Sequence, residues 1–405
     1  MISSDRRSFK FRKGIKMVTS MFAAVAGLRT HQSRMDVIGN NIANVNTFGF
    51  KKARATFRDQ FYATMSGASE AGAVFGGTNP SQVGFGTLLS SVDVNMGTGS
   101  AQPTGFGMDA MILGNGFFIV GTYNAQGVDR VGNSPNANLT QLSLTRVGIF
   151  NVDGRGNLVD SMGNYVYGFM QNSPLRGPAP DAGADTRPEF VDRLEMLHVP
   201  QILMRANGDP VLDDEGNFVV IPHQVTGTGS DIIYTTDDNG NRILVGVAAG
   251  SDPAEPGSFS LTGTGAADVL SGHTFTPALT GDFFVAPMRL NNISIGNNGS
   301  VRGTNDIGQI VTIGSIAVAN VPNPNGLTNV GNGYFRAEAN TGVLTGQIPG
   351  EGSTGVLNAG FLEMANVDLA QEFTDMITTQ RGFQANGRII TVTDEMLAEL
   401  VNLKR

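Results

Sequence analysis

Both ends of this 405-residue chain carry an apolar stripe at heptad spacing, and neither stripe can be buried by its own segment alone. From Met17 the steps alternate between four and three residues through Met21, Ala24, Leu28, His31, Met35, Ile38, Ile42 and Val45. All but His31 are apolar, and the spacing places them on one side of an α-helix. At the other end Leu369, Phe373, Met376, Gln380, Phe383, Gly387, Ile390, Asp394, Leu397 and Val401 keep the same steps. Ile389, Val392, Met396, Leu400 and Leu403 widen that face, which predicts more than one neighbour. A lone amphipathic helix is marginal in water. Each stripe therefore needs a partner: the other end, further copies of the chain, or both. An intramolecular helical hairpin is the plainest of these arrangements.

Polar residues on a seam set register more often than they bind ligands, which is the reading for His31, Gln380 and Asp394. Asp394 is expected to cap a buried contact or to pair with Arg34 or Arg29. Gly387 inside a helix costs about 1 kcal/mol relative to Ala, and close approach of another helix would explain it. The first helix is predicted to stop within NNIANVNTFGF, where Asn44, Asn46 and Gly49 favour turns and left-handed backbone.

The middle, roughly 85 to 360, reads as β. IFNVDGRGNLVDSMGNYVYG, DPVLDDEGNFVVIP, DIIYTTDDNGNRILVGV and ISIGNNGSVRG each set period-2 segments around Asp/Asn-Gly turns. Gly is 54 of 405 residues and charged residues are 15%, which suits short strands and tight turns rather than a bundle. Pro/Gly/Ala-rich stretches near 173–187 and 249–266 mark interruptions. They predict an inserted outer β domain at 176–285 within a middle β domain of 85–175 and 286–361. Residues 51–84 read as an extended connection, and 17–50 with 362–405 as a terminal helical domain. Residues 1–16 read as a leader with no structural role.

Charge is uneven. Residues 1–60 hold 12 Lys/Arg against 3 Asp/Glu, leaving 15 against 32 in the rest. The basic start lacks a clean apolar core and a cleavage site, so no cleavable signal peptide is predicted. No apolar run reaches the roughly 18 residues of a membrane span, so no membrane insertion is expected. Lys51, Lys52, Arg54 and Arg58 lack the aromatic interleaving of a nucleic-acid surface, and the remainder is acidic. There is no Cys, hence no disulfide, thiolate metal site or Cys nucleophile. The four His are scattered, and no phosphate loop, nucleophile elbow or His-Glu-x-x-His motif occurs. Asp-rich turns fail the EF-hand spacing and read as turns that bond their own backbone. No cofactor, metal site or catalytic residue is predicted, and the chain does not read as an enzyme.

NNIANVNTFGFKK at 40–52, after an amphipathic helix, resembles the N-terminal signature of the bacterial flagellar rod and hook proteins. Its turn residues are Asn41, Asn44, Asn46, Thr47, Gly49 and Phe50. FLEMANVDLAQEFTDMITTQRGFQANGRIITVTDEMLAELVNLKR at 361–405 is similar to the matching C-terminal signature, and TGFGMDAMILGNGFFIV and LTRVGIFNVDGRGNLVDSMGNYVYG to segments between them. The insert shows no resemblance. Length and insert favour the hook members, with distal rod members as the alternative.

The resemblance implies a mainly β multidomain body with long N- and C-terminal α-helices that pair as coiled-coil-like elements of an inner tube. It implies a self-assembling structural subunit of a hollow, flexible tube that joins rod to filament and transmits torque. Implied partners are further copies, the hook cap, the distal rod, the hook–filament junction proteins and the flagellar export apparatus. The implied location is the extracellular flagellum, reached by type III export without signal cleavage. Met21, Leu28, Met35, Ile38, Ile42, Leu369, Phe373, Met376, Phe383, Ile390, Leu397 and Val401 are the expected assembly residues. From the residues alone, an extracellular β-rich adhesin or, less readily, a hydrolase stands as the competing class.

Overall fold

The computed structural model describes residues 5–70, 76–122, 138–171, 194–205, 209–210, 212, 218, 220–221, 232–236, 242–247, 258–260 and 282–403, with α1 side chains from Ser20 onward. The chain divides into two compact units. One comprises Met1–Ser100 with Met364–Arg405, the other Ala101–Glu363.

The first unit holds both helices, α1 (Asp5–Ala43) and α2 (Leu369–Asn402). Helix α1 is continuous from Asp5, so the fold gives Met17 no special place. It ends where Asn44 bonds back to Asn40 and Gly49 takes φ +70°. Helix α2 starts at Asp368, whose carboxylate accepts from the Ala370 and Gln371 N–H groups. Between the helices runs one long antiparallel ribbon: β1 (Ala53–Asp59), β2 (Tyr62–Ser66), β3 (Ser81–Gly84) and β4 (Thr87–Val94). Ala53 faces Val94 at its base, Tyr62 faces Gly84 further out, and the Gln60 and Phe85 amides bridge the two segments. The sequence reading has an extended connection over 51–84 and the middle domain beginning at 85. The 85–94 segment is instead the return strand of this ribbon, because its hydrogen-bond partners lie in 53–61. Helix α1 lies on the ribbon at Gly86, whose φ is +106°. A Cβ there would stand 3.1 Å from Ala23 Cα and from Ala26 Cβ, a spacing that only glycine fits.

The second unit is antiparallel β. Its main path runs Leu290–Ile295, Ser300–Asn305, Ile310–Ile316, Tyr165–Met170, Phe117–Gly121, Ser143–Thr145, Tyr334–Arg336 and Thr328–Gly331. Gly168 faces Ile316, so a strand from before the Pro/Gly/Ala-rich interruption neighbours one from after it. Phe118, Phe150, Val166, Ile313, Ile316 and Val318 fill the core, with the Phe118 and Phe150 rings edge to face at 5.1 Å. Ile202 and Phe218, inside the expected insert, are buried in the same cluster. The first strands of that segment therefore belong to the core of the unit rather than to a body of their own. Most of 176–285 lies outside the described residues. Three turns share one construction. Asp153 Oδ1 accepts from the Arg155 and Asn157 amides, Asp160 Oδ1 from those of Met162 and Asn164, and Asn305 Oδ1 from that of Gln309. Each has a glycine at φ between +82° and +86°. These oxygens serve their own backbone, as the sequence reading expects.

Candidate functional site

The helices pair antiparallel along a line that the apolar pattern marks only in part on α1, at Ala24, His31 and Ile38, and does not mark on α2. Gly27 meets Asn386, His31 meets Gly382, Arg34 pairs with Asp375 at 3.0 Å, and Asn41 bonds Glu372 at 3.1 Å. On α2 the line runs through Glu372, Asp375, Thr379, Gly382, Asn386 and Thr393. It keeps heptad steps but falls one residue before the predicted seam. One residue is about 100° of helix rotation. Gly, Thr and short polar side chains let the two backbones come close, and hydrogen bonds then set register. Arg34 takes Asp375, not the Asp394 that the sequence suggested. Close approach is found at Gly27 and Gly382, whereas a Cβ on Gly387 would meet nothing within 4 Å.

The rotation leaves the apolar face uncovered. Leu369, Phe373, Phe383 and Val401 are exposed, Phe373 by 50% and Val401 by 68%. Met376, Ile390 and Leu397 are half-buried, and Ile377, Ile389, Val392, Met396, Leu400 and Leu403 are exposed as well. On α1 only Ile38 of the expected set is buried, while Met21, Leu28, Met35 and Ile42 are half-buried. Isolated exposed apolar side chains are ordinary, but a stripe of them along one helix is not.

At the closed end of the helix pair the two signatures meet in a polar clasp. Asn41 Nδ2 donates to the Ala53 carbonyl at 2.8 Å, and the Ala53 amide donates to Asn41 Oδ1 at 3.0 Å. One side-chain amide thus serves Ala53 as a neighbouring strand would. Asn366 does the same next door. It accepts from the Lys52 amide at 2.8 Å and donates to the Asn95 and Gly97 carbonyls. Asn41 is also the donor to Glu372 Oε2, and the Lys52 ammonium stands 3.9 Å from Glu372 Oε1. Asn41 and Glu372 are buried to 1% and 5% exposure, where an unpaired amide or carboxylate would be costly. Lys51 is buried too, its Nζ donating to the Gly97 carbonyl at 2.9 Å. Of the signature turn, Asn44 donates to Asn40 and accepts from Thr47 Oγ1, while Gly49 supplies the left-handed bend and is buried. Phe50 is half-buried, and Asn46 and Thr47 are exposed. Sequence reasoning missed Asn366, Glu372 and Lys52. Their signal was a run of polar residues beside an apolar pattern, with no spacing rule that joins positions over 300 apart.

The second unit has a buried ion pair of its own. Arg146 Nη1 lies 3.2 Å from Glu363 Oε2, both nearly inaccessible, and Nη2 donates to the Gly114 carbonyl at 2.8 Å. The guanidinium sits 5.1 Å from the Phe117 ring centroid. Burial pushes its pKa down, opposed by the Glu363 charge. Among the described residues no group of three or more His, Asp or Glu is placed to hold a metal. Nor, among them, is any helix long and apolar enough to cross a membrane.

The family described as Flagella basal body rod protein matches residues 21–51, and the one described as Flagellar basal body rod FlgEFG protein C-terminal matches residues 358–403. These spans contain α2, the larger part of α1 and, of the clasp, Asn41, Lys51, Asn366 and Glu372. The flagellar basal-body rod protein FlgG of Bacillus subtilis is 30% identical over 390 residues, covering 96% of this chain and all of that protein. The flagellar hook protein FlgE of Borreliella burgdorferi is 31% identical over 459 aligned positions, again covering 96% of this chain and all of that protein. The solved hook protein FlgE2 of Helicobacter pylori aligns at a TM-score of 0.30 and 11% identity, over 65% of this chain and 100% of that one.

Proposed function

Since this chain belongs to the bacterial flagellar rod and hook family, we propose that it is the structural subunit of the flagellar hook, which polymerises with copies of itself into a hollow tube. The observation that carries the proposal is the uncovered apolar stripe of α2, through Leu369, Phe373, Phe383 and Val401. The small and polar face about 100° round that helix already holds α1. The stripe is therefore free for neighbouring subunits, with Met21, Leu28, Met35 and Ile42 of α1 and Met376, Ile390 and Leu397 of α2 at its margins. A patch that meets a different patch on the next copy does not close on itself, and it generates a helical filament. Terminal helices 17–50 and 362–405 then serve as coiled-coil-like inner-tube elements and the β body lies outside. In the flagellum its further partners are the distal rod, the hook cap, the hook–filament junction proteins and the export apparatus.

Electron microscopy of the concentrated chain tests this. Hollow tubes are expected. Dispersed monomers that bind a ligand would replace it with an adhesin reading. The rod relative matches as well as the hook relative does, so a distal rod subunit is the second reading. Cells lacking the protein separate them: complete rods without hooks support the first, truncated rods the second.

A further inference from the structure

His31 sits at one of the two glycine positions where the helices approach closely. A Cβ on Gly382 would stand 2.7 Å from His31 Cε1 and 2.8 Å from Nε2, so the imidazole rests on bare backbone. Its Nδ1 is buried and has no hydrogen-bond partner among the described residues. The charged groups around it are already engaged or turned to solvent. Arg34, one turn along α1, holds Asp375 Oδ1 at 3.0 Å, and Asp375 Oδ2 accepts from Gln371 Nε2 at 3.2 Å. Arg381 and Arg388 of α2 are exposed, and Glu372 is held by Asn41 and Lys52 further along the seam. On the ribbon, Arg54 stands 3.8 Å from Asp93, and Arg58 and Asp59 are exposed. No free carboxylate among these faces the imidazole.

A neutral imidazole suits this place. A protonated one carries N–H on both nitrogens. Its Nδ1–H would lack an acceptor, and its charge would join that of Arg34 inside the seam. We propose that His31 is a proton-sensitive latch of the α1–α2 pair, closed while the ring is neutral and released when it is charged. Burial first, and the Arg34 charge second, hold the His31 pKa below its ordinary value. The paired state thus binds fewer protons than the unpaired one. Its stability is full above the ordinary value of about 6.5 and declines as pH falls from there toward the lowered pKa.

The test uses the full-length monomer at fixed ionic strength. Hydrogen exchange across 20–43 and 369–402, corrected for intrinsic rates, gives the opening constant of the pair at pH 7.5 and pH 5.0. For the wild type the constant should rise several-fold on acidification, with a ceiling of about thirtyfold set by a reference pKa of 6.5. H31Q, neutral at both pH values, should show little of that rise, and H31K should already be open at pH 7.5. A rise in H31Q equal to that of the wild type, or a closed H31K, overturns the latch. An NMR titration of the wild-type imidazole adds a readout that needs no variant. A His31 pKa at or above the ordinary value would also overturn it.

Discussion

The imidazole of His31 lies on the backbone of Gly382, and four residues away on each helix the amide of Asn386 lies on Gly27 in the reciprocal sense. Each helix thus offers one glycine and one polar side chain to the other. This exchange fixes the axial position of the pair.

Adding a methyl group at the crossing should therefore harm the pair, and adding one elsewhere should help it. Gly382→Ala places a Cβ 2.7 Å from the His31 ring. Overpacking of that kind costs about 1–3 kcal/mol, against about 1 kcal/mol gained in helix propensity. Gly387→Ala meets nothing and should stabilise α2 by up to about 1 kcal/mol. Urea melts of the monomer, followed by helical circular dichroism, compare the two. Equal midpoints would mean that the helices are not close-packed at Gly382.

The clasp makes an ordered prediction. Asn41→Ala removes both bonds to Ala53 and the donor to Glu372, for a loss of about 1–3 kcal/mol. Asn41→Asp keeps one acceptor but sets a second carboxylate against Glu372 and the Ala53 carbonyl. It should be the more damaging change at neutral pH. The reverse order in denaturant midpoints would show that Asn41 acts mainly by filling space.

For the second unit, Glu363→Gln leaves the Arg146 guanidinium buried without its counter-charge and should cost about 3–5 kcal/mol. Arg146→Met combined with Glu363→Leu removes both charges and should cost less than either single change that strands a charge. A double-mutant cycle on unfolding free energy checks this, and simple additivity would refute coupling across the pair.

Serine at Phe373, Phe383 and Val401 should leave monomer stability within about 0.5 kcal/mol per site, because these positions are exposed in the single chain. The same changes should abolish tube formation. A triple variant that melts much earlier would place the stripe inside the monomer; one that still forms tubes would place assembly elsewhere.

Some of this was legible in the residues. The two helices, the Asp/Asn-Gly turns and the bend at Gly49 follow from periodicity and turn chemistry, both local properties. The face of α2 that meets α1 was not legible, because hydrophobic spacing reports which side of a helix is apolar and not which neighbour takes it. Here the nearest neighbour in the same chain takes a face about 100° away, where Thr379, Gly382 and Asn386 allow close approach. The ribbon was hidden for a related reason. Its outer strands carry small residues without clear alternation, and its strength lies in pairing between 53–66 and 81–94. Asn366 and Glu372 could be assigned only once the chain ends had been brought together.

The three self-bonded turns at Asp153, Asp160 and Asn305 carry a consequence for how the chain regains its shape. Each closes over a separation of four residues through its own side chain. Closing so short a loop is fast and has a low entropic cost. A refolding chain can set these corners before any distant strand arrives. The hairpins they define then lower the search that the long-range pairing of Gly168 with Ile316 still requires.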